Sequence, residues 1–125
     1  MFGRSKKTLN KRQKGAIYEE IASNYLIKQG IKIITKNYQI KQGEVDIIAE
    51  DKDYLIFVEV KYRKNADFGY PYEAVSKTKQ RKICLVARQY CYMNQIAKQV
   101  RYDVISICGE EITWYRNAFE HIGYY

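Results

Sequence analysis

The most constraining feature of the sequence is a pair of apolar runs, residues 45–50 and 54–62, separated by the charged turn 51–53. This spacing predicts two strands joined by a tight turn, with the second strand covered on both faces. Three charged residues interrupt the runs where aliphatic side chains are expected: Asp46, Glu59 and Lys61. A charge in a buried strand is costly unless it is paired or binds a ligand, so these residues form the first candidate site.

Strand geometry relates these charges to one another. Successive side chains of a strand point to opposite faces, so Glu59 and Lys61 should share a face. On the preceding strand the same rule predicts one pair on each face: Val45 with Ile47, and Asp46 with Ile48. If turn 51–53 closes an antiparallel hairpin, Asp46 lies at the same end of the sheet as Glu59, and the two carboxylates can converge.

Two interpretations of this charged cluster are open. In one, Lys61 neutralises Asp46 or Glu59 in a structural ion pair. In the other, the two carboxylates disfavour each other's ionisation, and one lysine cannot balance the charge of both. A divalent cation would then balance the remaining negative charge. Oxygen ligands favour hard ions, so the expected cofactor is Mg²⁺ or Mn²⁺.

The composition favours one soluble domain that handles a polyanion. The chain has 125 residues, of which 46% are hydrophobic and 29% charged, and its net charge of +8 is concentrated in residues 1–14 and 61–101. Lysine and arginine supply sequence-independent affinity for nucleic acid, although a basic tail and a solvated helix face are the ordinary alternatives. We expect residues 1–14 to be a flexible basic segment and residues 15–125 a single domain.

Several classes of protein are disfavoured. No segment approaches the roughly 20 apolar residues needed to cross a bilayer, and no apolar signal region is present, so we expect a cytoplasmic protein with no membrane partner. The three cysteines contain no Cys-x-x-Cys pair and suggest no disulfide framework. The single histidine, His121, argues against a His-rich zinc site. It is also the one histidine that could act as the base of a Ser/His/Asp triad, and it lies near the C-terminus.

The predicted order of elements is αβββαβ with a further strand. A helix over residues 15–30, with Gly30 as its C-cap, precedes three strands over about 31–40, 45–50 and 54–62. A loop over 63–71, a long helix over 72–94 and two late strands, 100–107 and 111–116, complete the chain.

Each predicted helix carries one polar residue beside its apolar positions. Glu19 lies at the margin of the apolar half of the first helix, which contains Ile17, Tyr18, Ile21, Ala22, Tyr25 and Leu26. It is either a helix-flank carboxylate or a group that points along the core boundary toward the site. Gln80 lies on the apolar stripe of the second helix, so its amide needs hydrogen-bond partners. Either the nearby backbone provides them, or a neighbouring catalytic strand or a bound phosphate does.

These motifs resemble a known family. The segments "GEVDIIAE" and "FVEVKYR" are similar to the PD-(D/E)XK core of restriction-endonuclease-like nucleases, and the chain more specifically resembles the YraN-like bacterial proteins. The matching segments cover about residues 15–119 in order: "YEEIASNYLIKQGIKIITKNY", "GEVDIIAEDKDYLIFVEVKYRKNADFG", "EAVSKTKQRKI", "RYDV" and "NAF". The resemblance implies an α/β, restriction-endonuclease-like fold with an αβββαβ core, in which helices flank a mixed central sheet.

The resemblance also implies a role for each candidate residue. Asp46, Glu59 and Lys61 correspond to the aspartate, the acidic residue and the lysine of the motif, although Val45 stands where the literal motif has proline. Glu19 corresponds to the first-helix glutamate and Gln80 to a second-helix glutamine found in one branch of the superfamily. The implied catalytic set is therefore these five residues, with Asp46, Glu59 and Glu19 as metal ligands.

The implied function is metal-dependent hydrolysis of phosphodiester bonds in DNA, in repair, recombination or processing. Lys61 would orient the attacking water or stabilise the phosphate in the transition state, and Gln80 would help to position either. Backbone phosphate contacts are expected from nearby basic residues: Lys61, Arg63, Lys64, Lys77, Lys79, Arg81, Lys82 and the N-terminal basic stretch.

Two alternatives of other classes stay open. A non-catalytic nucleic-acid-binding accessory module would keep the fold without cleaving its ligand. A structural ion-pair cluster would suit a protein that binds another protein, a homodimer included. The 13 tyrosines fit a protein interface and stacking on unpaired bases equally well.

Overall fold

One five-stranded sheet organises the fold. The computed structural model describes residues 9–63 and 75–123. Within them the elements follow as α1 (Lys11–Lys28), β1 (Lys32–Ile40), β2 (Gly43–Glu50), β3 (Tyr54–Arg63), α2 (Lys77–Met93), β4 (Gln99–Cys108) and β5 (Glu111–Phe119). The predicted αβββαβ order with a further strand is confirmed.

The sheet is mixed, as expected for this fold class. Its strands lie in the order β1-β2-β3-β4-β5, with β3 and β4 parallel and the other neighbours antiparallel. A parallel pair needs a crossover connection, which α2 supplies. This α/β arrangement of a mixed sheet and two helices is consistent with the restriction-endonuclease-like core.

The two helices cover opposite faces of the sheet. On one face, α2 packs in a cluster that includes Leu55 and Phe57 of β3; on the other, α1 packs in a cluster that includes Ile56 and Val58. All four side chains are buried, which explains why β3 is apolar on both faces. Neither described helix combines the length and the apolar character needed to span a membrane.

Helix α1 begins earlier than predicted. Asn10 is its N-cap: the Asn10 side chain accepts the Gln13 N–H, and the Gln13 side chain accepts the Asn10 N–H. This reciprocal capping box satisfies two amides that would otherwise lack partners, so the helix is stable from Lys11. The predicted boundary between residues 14 and 15 therefore falls inside α1. The rest of the predicted flexible segment, residues 1–8, lies outside the described residues.

The buried stripe of α1 is narrower than predicted. Ala22, Ser23 and Leu26 are buried against the sheet, whereas Ile17 and Ile21, which the helical spacing assigns to the apolar half, are exposed. Glu19 precedes Ala22 by three residues and Ser23 by four, spacings that put side chains on one helix face. The carboxylate of Glu19 thus continues the buried stripe.

The alternation of side chains along β2 breaks at Asp46. Val45 packs in the cluster under α2, but Ile47 packs in the cluster under α1, so the prediction that these two residues share a face is wrong. On β1, Asn37 lies between the positions paired with Val45 and Ile47 and has a left-handed backbone, with φ 55°. A left-handed residue in a strand disturbs the pleat locally and re-aims its neighbours.

A buried carboxylate joins β4 to β5. Asp103 is fully buried and accepts four hydrogen bonds of 2.9 Å each, from Arg101 Nε and Nη2, Trp114 Nε1 and the Asn117 N–H. Four donors satisfy both carboxylate oxygens, and the guanidinium balances the charge. This closed network leaves Asp103 a structural role.

Removing that carboxylate should destabilise the protein. We expect Asp103→Ala to lower the free energy of unfolding by about 3–5 kcal/mol, because Arg101 and Trp114 lose their shared buried partner. Asp53→Ala, an exposed turn residue, is the matched control and should change stability by less than about 0.5 kcal/mol. Denaturant unfolding measures both variants, and equal stability of Asp103→Ala and the wild type would contradict this account.

Candidate active site

Three carboxylates come together where β2 begins and β3 ends. Glu19 of α1, Asp46 of β2 and Glu59 of β3 line one cleft of about 340 Å³. Lys61, on the same strand as Glu59, has its Nζ 3.8 Å from Glu59 Oε2. The structure thus brings together four of the five residues expected to be catalytic.

Asp46 is held by a backbone amide of the neighbouring strand. Its Oδ2 accepts the N–H of Val60 at 2.8 Å. The described pairing of β2 with β3 ends at Ile47 and Val58, so this side chain takes the place of a backbone acceptor. The carboxylate is consequently turned toward β3 and toward Glu59.

Glu59 is a deeply buried acid. Its side chain is 5% exposed, and its Oε1 accepts no hydrogen bond from residues 9–63 and 75–123. Burial, followed by the nearby Asp46 carboxylate, raises the pKa of Glu59 to about 8, against the opposing effect of Lys79 and Lys61. Without a bound cation, burial and the Asp46 carboxylate therefore favour the protonated form of the Glu59 carboxyl.

Glu19 is affected by the same surroundings as Glu59, but its pKa is raised less. Partial burial and then the Asp46 carboxylate raise the pKa of Glu19 to about 7, while a hydrogen bond from the Asn37 side chain lowers it. The contact of Asn37 with Glu19 is one that sequence reasoning missed. An asparagine inside a strand pattern was its one signal, because asparagine tolerates the left-handed backbone found there.

Lys79 changes the charge balance expected at the site. Lys79 is one of the residues expected to contact the DNA backbone, but its Nζ lies 3.6 Å from Glu59 Oε2, about as close as that of Lys61. These distances are those of ion pairs rather than of hydrogen bonds. Because two lysines are present, the charges alone do not require a cation, and the buried Glu59 Oε1 is the feature that favours one.

The donor set fits a hard divalent ion held by two carboxylates. Among the described residues, no group of three or more His, Cys, Asp or Glu side chains could hold a metal ion as arranged. Mg²⁺ needs no such cage, because one or two carboxylates usually bind it while water and phosphate oxygens complete its shell. Asp46 and Glu59 provide that pair, and the unpartnered Glu59 Oε1 is an acceptor that a cation would satisfy.

Gln80 is buried, and its observed bond goes to the backbone. Its Nε2 donates to the Val75 carbonyl at 2.9 Å, which agrees with the simpler of the two interpretations of its amide. Its Oε1 is also buried, without a partner among the described residues. A role for Gln80 in positioning water or phosphate stays a prediction.

Two of the expected phosphate contacts line the cleft, and others lie on neighbouring elements. Lys11 and Lys14 of α1, which belong to the N-terminal basic stretch, line it directly. Of the other expected phosphate contacts, Lys64 lies outside the described residues, Arg63 is partly buried at the end of β3, and three are exposed on α2: Lys77, Arg81 and Lys82.

A larger cavity lies elsewhere and lacks the groups for hydrolysis. It measures about 1070 Å³, and its described lining includes Leu85, Arg88, Cys91 and Tyr92 but no carboxylate from residues 9–63 and 75–123. Burial raises the pKa of the Cys91 thiol, so this cysteine is not an activated nucleophile. The smaller cleft, where three acids and four lysines gather, is therefore the candidate active site.

The comparison with known proteins decides the family. The family described as "Uncharacterised protein family UPF0102" matches residues 18–107, a span that contains all five candidate catalytic residues. The chain belongs to the UPF0102 family. The predicted membership of the YraN-like proteins is thereby confirmed.

Bacterial UPF0102 proteins match this chain over most of its length. A UPF0102 protein of Lachnoclostridium phytofermentans is 42% identical over 117 residues, which cover 92% of this chain and 99% of the relative. One of Clostridioides difficile is 46% identical over 114 residues, which cover 89% and 100%. Both relatives are therefore matched to this UPF0102 protein along nearly their whole length.

The raised pKa of Glu59 predicts how the stability of the metal-free UPF0102 protein varies with pH. The folded state binds this proton more tightly than the unfolded chain, whose carboxyl has the ordinary pKa of 4.5. Protonation of Glu59 therefore stabilises the folded state fully below pH 4.5, and this stabilisation is lost as pH rises through about 8. In EDTA, Glu59→Gln should be more stable than the wild type at alkaline pH, by on the order of 2 kcal/mol, and should lose this advantage at about pH 5.

Thermal unfolding at several pH values tests this expectation. Glu110→Gln, in the exposed turn between β4 and β5, is the control and should follow the wild type throughout. An advantage of Glu59→Gln that does not change with pH would show that Glu59 is ionised in the folded protein.

Proposed function

We propose that this UPF0102 protein is a Mg²⁺- or Mn²⁺-dependent nuclease that hydrolyses phosphodiester bonds in DNA at the cleft of Asp46 and Glu59. The observation that carries the proposal is the buried Glu59 Oε1, which accepts no hydrogen bond from the described residues and belongs to a carboxyl whose pKa the neighbouring Asp46 raises. A purely structural buried charge is normally hydrogen-bonded, as Asp103 is. An acceptor left open at a cleft supports a ligand site.

In this proposal Asp46 and Glu59 hold the ion, and Glu19 contributes through water. When bound, a divalent ion lowers the pKa of an attacking water and offsets the negative charge that builds on the phosphate. The Glu59 carboxyl must lose its proton before it can act as a ligand, so ion binding should release protons and should tighten as pH rises toward about 8.

In this proposal two lysines and Gln80 act on the phosphate group and the attacking water. Hydrolysis joins a water oxygen to phosphorus, breaks one bond between phosphorus and a sugar oxygen, and leaves the protons of the water on the products. The ammonium groups of Lys61 and Lys79 lie 3.8 and 3.6 Å from Glu59 Oε2, a proximity that supports donation to the non-bridging phosphate oxygens. Gln80, next to Lys79 in α2, would orient the phosphate or the water through its side-chain amide.

The charge distribution supports a nucleic acid as the substrate. The net charge of +8 includes exposed lysines and arginines near the start of α2 and two lysines in the cleft itself. Such side chains bind the phosphate backbone without reading sequence. DNA is the substrate that the family resemblance implies.

A second candidate function has one observation in its favour. Because no three acidic side chains in residues 9–63 and 75–123 are arranged to hold a metal ion, a nucleic-acid-binding module without catalysis is also compatible with the cleft. The two candidates differ in a simple outcome. Binding without cleavage on single-stranded, duplex, flap and four-way-junction DNA, in Mg²⁺ and in Mn²⁺, would favour the non-catalytic module.

Substitutions at the site should greatly slow or abolish cleavage without unfolding the protein. We expect Lys61→Met to lower the cleavage rate by about 10²–10³-fold, because a donor to the transition-state charge is lost. Asp46→Asn should abolish metal-dependent cleavage, and EDTA should do the same to the wild type. Lys52→Met, in the exposed turn at the far end of the β2–β3 hairpin, is the matched control. Metal-dependent cleavage that survives both Asp46→Asn and Lys61→Met would contradict the assignment.

Substitution of the exposed helix residues should affect binding rather than chemistry. Arg81→Ala should weaken DNA binding evenly across sequences and lower the slope of log affinity against log salt by about 1, since one phosphate contact is lost. The rate at saturating DNA should stay that of the wild type. Titrations by fluorescence anisotropy at several salt concentrations measure the slope, and an unchanged slope would show that Arg81 lies outside the bound surface.

A further inference from the structure

Two stacked tyrosines form part of the wall of the cleft. The ring centroids of Tyr18 and Tyr62 are 4.0 Å apart, and their planes differ by 16°. Both rings line the same cleft as Glu19, Asp46 and Glu59. Tyr18 is adjacent to Glu19 in the chain, and Tyr62 follows Glu59 by three residues, so the pair belongs to the elements that carry the acids.

The two rings differ in their surroundings. Tyr18 packs against the buried cluster under α1, which fixes its position. Tyr62 is 41% exposed and stacks on Tyr18 as the outer ring of the pair. Filling the core does not account for Tyr62, because a large part of its surface remains in contact with solvent.

Two lysines lie in a row with the inner ring. Lys11 and Lys14 precede Tyr18 by seven and four residues, spacings that place side chains on one face of α1, and all three line the cleft. Ammonium groups attract phosphates, and an aromatic face accepts a nucleobase. The row therefore offers separate contacts for the two parts of one nucleotide, directly beside the carboxylates.

We propose that the Tyr18–Tyr62 pair is a stacking platform for an unpaired base next to the phosphate that is cleaved. The preferred substrate is then DNA with an unpaired nucleotide at that point, as in a single strand or an overhang. In a continuous duplex both faces of each base are covered by its neighbours, so a base must leave the stack before it can bind a protein ring. This inference rests on the proposed function, because it takes the acidic cleft to be where the phosphate lies.

Affinity measured without cleavage tests the platform. In EDTA, anisotropy titrations compare a short fluorescent single strand with a blunt duplex of the same sequence. Tyr62→Leu should weaken binding of the single strand by about 5- to 100-fold, the range for one lost base–aromatic stack, and should leave duplex affinity unchanged. Tyr62→Phe and Tyr62→Trp keep a ring and should retain the affinity of the wild type. Tyr92→Leu, an 84% exposed tyrosine of α2, is the matched control.

Several outcomes would overturn the platform. These are single-strand affinity that is unchanged in Tyr62→Leu, equal losses on single strand and duplex, and the absence of measurable single-strand binding by the wild type. If Tyr62→Leu fails to fold, as circular dichroism would show, Tyr62→Phe and Tyr62→Trp decide, and loss of single-strand affinity in both would contradict the proposal.

A parallel cleavage assay in Mg²⁺ separates this inference from the proposed function. An inactive protein whose single-strand affinity still depends on Tyr62 would overturn the nuclease and support the platform. An active protein that cuts blunt duplex as fast as single strands, with no effect of Tyr62→Leu, would overturn the platform and leave the nuclease standing.

Discussion

The hydrogen bond from the Val60 N–H to Asp46 Oδ2 is the contact on which the rest of the site depends. It forms where the described β2–β3 pairing has ended, so a side chain replaces a backbone acceptor and the carboxylate turns toward the neighbouring strand. Asp46 then contributes to the raised pKa of both Glu19 and Glu59. One local departure from strand pairing thus gathers acids from three separate elements at one cleft.

This arrangement buries one carboxyl beside another, a cost in the metal-free protein that the proposed cation would offset. A buried carboxyl beside another carboxyl either keeps its proton or requires a cation, and Glu59 has two lysines within ion-pair distance but no donor among the described residues for its Oε1. Asp103, the other deeply buried acid described above, shows the contrasting solution, in which four donors leave nothing open. This difference between the two acids is what supports the proposed ligand site at Glu59 and a purely structural role for Asp103.

Much of the fold and part of the site could be predicted from the sequence, because strand runs, turns and helix periods are local signals. The side-chain alternation of β2 could not, since its break at Asp46 coincides with the left-handed Asn37 on a different strand. Nor could the place of Lys79 beside Glu59, which depends on how α2 crosses between two parallel strands. The early start of α1 could have been predicted from the Asn10–Gln13 capping box, but the polar and charged residues around it show no apolar periodicity.

The most direct test of the central claim is calorimetric titration of Mn²⁺ into the metal-free protein at pH 7, in two buffers of different ionisation enthalpy. With the pKa of Glu59 at about 8 and that of Glu19 at about 7, the account predicts binding with net proton release, and the loss of both binding and release in Asp46→Asn. The absence of binding to the wild-type protein would contradict it, as would binding that releases no protons and is unchanged in Asp46→Asn.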